Sequence, residues 1–194
     1  MRNFGRRGRL LLILCGVVFL GAAGMLLRGV LQRVQAERVL SKTAVEVARQ
    51  IPDGKEGAAL LVEELPRLAW TNGDIVGLLE IPDAGVCLPV YAEEAAQTLP
   101  TLSPAEGGGA RITAAATARQ LACLIEAEAG QAVVFTDLLG NRYTYAVQSI
   151  RHPAAAQLSG LSAAEGELLL AARKGGRVVM AVCRRTTEDC DGRT

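Results

Sequence analysis

An uncharged apolar run near the N-terminus constrains this chain more than any other feature. Leu10 to Leu27 contains eighteen consecutive residues without a charge, which meets the length that a helix needs to span a hydrocarbon core of about 30 Å. Four arginines precede the run, at Arg2, Arg6, Arg7 and Arg9. By the positive-inside rule this cluster places residues 1–9 in the cytoplasm and the rest of the chain outside. The sequence therefore predicts a single-pass signal anchor over residues 10–31 in the cell membrane.

A cleavable signal peptide is the alternative for the same segment. The small residues at 21–24 offer a cleavage site, but the apolar run continues through Leu27, which is long for the hydrophobic region of a signal peptide. The basic residues that follow, from Arg28 to Lys42, narrow the charge difference across the segment. The uncleaved anchor is the preferred interpretation.

Composition limits what the remaining chain can be. A length of 194 residues allows an anchor and one domain, and half of the residues are apolar, which is enough for a buried core. The 21 basic and 20 acidic residues nearly balance, which argues against a nucleic-acid-binding protein. No C-x-x-C pair occurs, and the one histidine, His152, is distant in sequence from every cysteine. We therefore expect no metal site and no cofactor.

The exported part divides into a stalk and a strand-rich body. Residues 32–69 are predicted to form the stalk, helical from Val34 until Pro52 stops the pattern, and residues 186–194 read as a polar tail. Between them, residues 70–185 alternate short apolar runs with turn residues, which favours a mixed β-barrel over a dinucleotide-binding fold. Five strands are predicted, at Ile75–Ile81, Val86–Tyr91, Gln131–Thr136, Asn141–Ile150 and Arg177–Cys183.

Three segments of the body are predicted to lie outside those strands. Thr117–Ala129 has apolar residues at helical spacing behind a possible capping threonine. Ser162–Arg173 begins with serine and has glutamate three residues later, the pattern of a capping box, and is predicted to be helical. Gln97–Gly109 contains three glycines and two prolines and is predicted to be a loop.

Four segments carry a resemblance to a known family. Asn72–Pro82 reads NGDIVGLLEIP, and Gly85–Tyr91 ends in Pro-Val-Tyr. Phe135–Val147 begins Phe-Thr-Asp and continues into a tyrosine-rich strand, and Val178–Cys183 is an apolar strand that ends in cysteine. In this order the segments resemble the sortases, nearest to classes B and D. The resemblance implies a β-barrel preceded by an N-terminal anchor.

The resemblance also implies a chemistry, of which this chain lacks a part. Sortases are cysteine transpeptidases that use a cysteine nucleophile, a histidine for proton transfer and an arginine that stabilises the oxyanion or the substrate. By resemblance Cys183 takes the nucleophile position, whereas the histidine position falls on Ala115 or Ala116. Arg193 is the nearest candidate arginine, with Arg184 or Arg185 as substitutes.

Two functions remain open from the sequence. The first is a membrane-anchored sortase-like transpeptidase acting on the sorting-signal peptide of secreted proteins, with activity lowered by a factor on the order of 10² because the histidine is missing. The alternative is an inactive module that binds a peptide or partner, or a truncated sortase. We expect Cys183 to face the Ala114–Thr117 segment across a shallow groove walled by the loops Gln97–Gly109 and His152–Ser159, with His152 more than about 8 Å from its sulfur. No apolar strand follows Cys183, which predicts an open sheet edge.

Overall fold

The computed structural model describes residues 39–186, apart from 94, 96–98, 118–119, 155–159, 161 and 175. The predicted anchor over residues 10–31 and the tail with Arg193 lie outside this range. Within it, no helix combines the length and the apolar character that a membrane span requires.

Strands dominate the described residues. An α-helix covers 39–50, and 3-10 helices cover Val62–Glu64, Pro82–Ala84 and Leu121–Ile125. The nine strands are β1 Lys55–Glu56, β2 Ile75–Ile81, β3 Val86–Ala92, β4 Thr101–Pro104, β5 Ala110–Ala115, β6 Ala132–Asp137, β7 Asn141–Arg151, β8 Glu167–Lys174 and β9 Arg177–Arg185.

Eight of these strands close into a mixed barrel. Their order is β7-β6-β2-β3-β4-β5-β8-β9, and β9 pairs back with β7. The pairs β3–β4 and β5–β8 are parallel, and the other neighbours in the ring are antiparallel. The prediction of a mixed β-barrel is confirmed. The predicted open edge is wrong, because β9 hydrogen-bonds to a neighbour on each side and so completes the ring.

The barrel core follows from alternation along its strands. In β5 every second residue is buried, at Ala110, Ile112 and Ala114, as expected for a strand with one face toward a core. The same core contains Phe135 and Tyr145 from the next two strands. Small side chains from β5 therefore fill the space left between a few large ones.

Two predicted elements required correction, and a third is much shorter than predicted. Ser162–Arg173 is not helical, because its leucines lie in β8, where Leu168, Leu169 and Leu170 are all buried. Both faces of β8 are buried, because Leu168 and Leu170 belong to the main core cluster while Leu169 packs in a second cluster with Ala105, Ala163, Met180 and Val182. A continuous apolar run therefore fits this strand as well as it fits a buried helix. The predicted loop Gln97–Gly109 contains β4, and of Thr117–Ala129 only Leu121–Ile125 forms a helical turn.

The helix at 39–50 packs on the outside of the barrel. Its buried residues Leu40, Ala44 and Val47 form one cluster with Ile75 and other apolar residues of β2 and β3. Their spacing of three to four residues gives the helix one apolar face. Residues 39–50 of the predicted stalk are therefore held against the domain by the apolar face of their helix.

Gly77 fits a crowded position on β2. A Cβ atom there would meet the carbonyl oxygen of Thr136 and lie 2.7 Å from the Phe135 ring. We expect Gly77→Ala to lower the free energy of unfolding by about 2 kcal/mol, as overpacking does in other cores. Gly160→Ala is the matched control, since nothing lies within 4 Å of its added Cβ. Equal urea midpoints for the two variants would contradict this packing.

Candidate functional site

Cys183, the predicted nucleophile, lies inside the barrel. It is 0 % exposed and belongs to the main core cluster, where it pairs with Leu168 on β8 and Val147 on β7. Burial raises the pKa of its thiol to about 12. Because the thiolate is the nucleophilic form, this environment suppresses the reactivity of Cys183.

The fold does not bring Cys183 to the predicted histidine position. Cys183 pairs with Leu168, whereas Ala115 pairs with Arg173 on the same strand β8. Those two β8 residues are five positions apart, which separates the two sites by about 16 Å at roughly 3.3 Å per residue. The expectation that Cys183 faces Ala114–Thr117 is therefore wrong.

The two candidate arginines that the structure describes, Arg184 and Arg185, lie next to Cys183 in sequence, at the end of the barrel away from Ala115. Arg184 is exposed. The guanidinium of Arg185 donates hydrogen bonds to the carbonyl oxygens of Gly57 and Ala58, and it lies 5.6 Å from the centroid of the Tyr143 ring. Arg185 thus fastens the segment at 57–58 to the barrel.

A groove of about 840 Å³ opens at the other end of the barrel, where β5 and β8 finish and β9 begins. We call it the β5–β8 groove. Its lining residues are Ala116, Ile125, His152, Pro153, Ala154, Ala172, Lys174, Gly176, Arg177, Val178 and Val179.

Parallel pairing explains why these residues meet. Ala114 pairs with Ala172 and Ala115 with Arg173, so the carboxyl ends of β5 and β8 reach the same rim. The Ala116 amide then donates a 2.8 Å hydrogen bond to the Arg173 carbonyl and extends the pairing by one residue. The predicted histidine position consequently adjoins Ala172 rather than Cys183.

His152 lies in this groove, next to the end of β7. Its distance from Cys183 follows from Val147, the β7 partner of that cysteine. Five residues that include one register shift separate Val147 from His152, so His152 is about 13–16 Å from Cys183. The predicted separation agrees with this register. His152 lies beside Ala116, where the loop that begins at His152 was predicted to form a groove wall, whereas no described residue of Gln97–Gly109 lines this groove.

The chemistry of the groove is limited by its side chains. Its lining includes His152 for proton transfer and the cations Lys174 and Arg177, but no thiol or hydroxyl group among the residues described there. Neither Cys87 nor Cys123 lines it. Across the part of the chain that the structure covers, no group of three or more His, Cys, Asp or Glu residues is arranged to hold a metal ion. The described residues of the groove can bind and orient a ligand, but none of them is a cysteine that could attack it.

Three of these positions were not predicted from the sequence. Ala172, Lys174 and Arg177 belong to a segment predicted as a helix followed by a strand, whereas they flank a hairpin between β8 and β9. His152 was predicted to be a loop residue of the groove wall without a catalytic role. The one available signal was the glycine pair at 175–176 between two apolar runs, which also fits a hairpin turn.

Comparisons with known proteins address the fold. No protein-family model and no curated protein matches the sequence. The crystal structure of sortase C1 from Streptococcus agalactiae matches with a TM-score of 0.51 at 18% identity, over 63% of this chain and 72% of that one. Sortase A from Listeria monocytogenes matches with a TM-score of 0.50 at 16% identity, over 58% of this chain and 88% of that one.

A lid mutant of sortase A from Corynebacterium diphtheriae covers more of both chains. It matches with a TM-score of 0.50 at 15% identity, over 77% of this chain and 95% of that one. Identities this low speak for the fold alone, and these solved structures are all sortases. Together with the closed eight-stranded barrel, they show that this chain has the sortase fold.

Proposed function

We propose that this chain is a membrane-anchored, sortase-like pseudoenzyme that binds a peptide in the β5–β8 groove without cleaving it. One observation carries the proposal. Where β5 and β8 end together, the adjoining side chains are Ala116 and Ala172, and the predicted nucleophile Cys183 is buried about 16 Å away.

The chemistry of cysteine transpeptidation requires a thiolate beside an acid–base group, within hydrogen-bond reach or able to close to it. Alanine supplies neither function. His152 could move a proton within the groove, but no described cysteine shares that groove. The alternative of an active transpeptidase based on Cys183 would require the barrel core to open at β9.

A peptide is the ligand that the fold favours. A structure of sortase C from Clostridium perfringens with the C-terminal cell wall sorting motif matches this chain with a TM-score of 0.50 at 16% identity. We propose that the present chain binds sorting-signal peptides of secreted proteins, with the apolar wall of the groove at Ile125 and Val179 receiving side chains of the peptide.

The proposed binding is tested with a fluorescent peptide of that sorting motif and the full chain in neutral detergent. Ala116→Trp places an indole in the groove, and we expect it to weaken binding by about tenfold or more because the indole occupies ligand volume. Ala48→Trp, on the exposed side of the helix at 39–50, is the control and should leave affinity unchanged. Equal affinities for the two variants would argue against binding in this groove.

We also propose that residues 10–31 anchor the chain with its domain outside the cell, on the basis of the arginine cluster. Protease added to intact cells should then remove the domain and leave a short N-terminal fragment. Moving the four arginines from before Leu10 to after Leu27 is the control and should protect the domain. Full protection of the unaltered chain would contradict the orientation.

A further inference from the structure

The β5–β8 groove has a charged rim of one sign. Lys174 and Arg177 pair across the hairpin between β8 and β9, and both are exposed and line the groove. His152 lines it as well, and the bridge between Ala154 and Arg177 ties the segment after β7 to the start of β9.

Acidic residues are absent from the described lining. The chain as a whole has 21 basic and 20 acidic residues, so a groove with basic residues and no carboxylate differs from the charge balance of the whole chain. Among the described residues, no carboxylate forms an ion pair with Lys174 or Arg177. Glu126 follows the lining residue Ile125 in sequence, but it lines a separate cavity with Asp83 and Glu128. Within the part of the chain that the structure describes, the cationic rim therefore lacks a counter-charge.

The rest of the groove surface is apolar. Ile125 is 51% exposed, and Pro153 and Val179 line the groove with it. A ligand that only pairs with the charges of the rim would leave this apolar wall exposed to water. Apolar side chains of a ligand would cover the wall and stabilise the complex by about 25 cal/mol per Å² of apolar surface buried.

We propose that the groove selects extended peptides in which apolar side chains alternate with carboxylates. This inference rests on the proposed peptide-binding function and adds the chemistry of the ligand. Carboxylates pair with Lys174 and Arg177 at the rim, and the intervening apolar side chains pack against Ile125 and Val179. Alternation suits the site because successive side chains of an extended peptide point to opposite sides.

Three octapeptide probes, each with a fluorophore and capped ends, separate the parts of this proposal. They alternate leucine with glutamate, leucine with glutamine, and glycine with glutamate. With the full chain in neutral detergent at about 50 mM salt, we expect the leucine–glutamate peptide to bind about tenfold more tightly than either of the others. Its advantage over the leucine–glutamine peptide should shrink at about 0.5 M salt, because salt screens exposed charges.

Variants locate the charge effect. Lys174→Gln and Arg177→Gln should each weaken the leucine–glutamate peptide about three- to fivefold, the upper range for one exposed ion pair, and leave the leucine–glutamine peptide unchanged. Lys42→Gln, on the exposed face of the helix at 39–50, is the matched control and should change neither.

The remaining outcomes overturn the inference in distinguishable ways. Equal binding of the two leucine peptides would remove the carboxylate preference and leave peptide binding in place. Equal binding of the two glutamate peptides would remove the role of the apolar wall. If Lys42→Gln weakened binding of the leucine–glutamate peptide as much as the groove variants do, the attraction would come from the overall charge of the protein and not from the groove. Failure of all three probes and of the sorting-motif peptide would overturn the proposed function as well.

Discussion

Cys183 is expected to react with iodoacetamide about a thousandfold more slowly than an accessible thiol. Burial raises its pKa from 9.0 to about 12, three pH units, so the thiolate fraction at pH 8 falls by about 10³. The rate should increase with pH toward 12, since deprotonation produces the reactive form. The complete burial of Cys183 adds a barrier of access.

The matched variant moves the thiol into the groove. In a background with the other four cysteines, Cys15, Cys87, Cys123 and Cys190, replaced by serine, one protein retains Cys183. The other carries Cys183→Ala together with Ala154→Cys, since Ala154 is an exposed residue of the groove. We expect the introduced thiol to be alkylated at least about 10² times faster, because it lines an open groove. Comparable alkylation rates for the two proteins, followed by mass spectrometry, would contradict the burial of Cys183.

Asp137→Ala is expected to have the largest effect on stability. The carboxylate of Asp137 is at the end of β6 and is 2% exposed. It accepts hydrogen bonds from the Leu139 amide at 2.9 Å, the Asn141 amide at 2.8 Å, the Asn141 side chain at 2.7 Å and the Tyr143 hydroxyl at 3.3 Å. Removal leaves these donors without their acceptor, and we expect a loss of about 3–4 kcal/mol in the free energy of unfolding.

Substitutions of Asp137 are graded by what they retain. Asp137→Asn keeps one carbonyl oxygen and should cost about half as much as Asp137→Ala, because hydrogen bonds to a charged group are the stronger ones. Asp83→Ala removes an exposed carboxylate and should change stability by less than about 0.5 kcal/mol. Urea unfolding of the full chain measures all three. A midpoint for Asp137→Ala within error of that for Asp83→Ala would show that the network does not hold the hairpin.

The sequence predicted a strand bounded by a clear turn correctly, but it did not distinguish a strand with two buried faces from a helix. β2 was predicted with the same bounds that the structure gives, Ile75–Ile81, because a turn follows its apolar run directly. β8 was mistaken for a helix, since Leu168–Leu170 carry no alternation once both strand faces are buried. Periodicity reports how many faces of an element are apolar, and a strand inside a closed barrel can bury two.

Cys183 and Ala115 lie apart, against the prediction that they face each other, for a topological reason. β9 runs antiparallel to β8, while β5 runs parallel to it. The carboxyl end of β9, with Cys183, is therefore at the opposite rim from the carboxyl end of β5, with Ala115. A sequence motif in which a strand ends in cysteine does not indicate at which rim of the barrel the strand ends. Ala172, which does reach the right rim, has no functional group for sequence reasoning to detect.

The grouping of basic residues in the groove could not be predicted from the sequence for a related reason. His152 and Arg177 are 25 positions apart in sequence, and only the pairing of β7 and β9 brings their strand ends together. No local pattern joins them. Such a cluster becomes recognisable once the strand order is known.

Intact mass spectrometry tests the central claim most directly. The full chain is incubated with the sorting-motif peptide at a concentration that saturates its binding to the chain, with a catalytically intact sortase as the positive control. Our account predicts that the chain keeps its mass, the peptide stays uncleaved and dilution releases it. A peptide acyl group attached through a thioester to Cys183, with the C-terminal fragment of the peptide released, would contradict the account and show that Cys183 cleaves the peptide by acyl transfer.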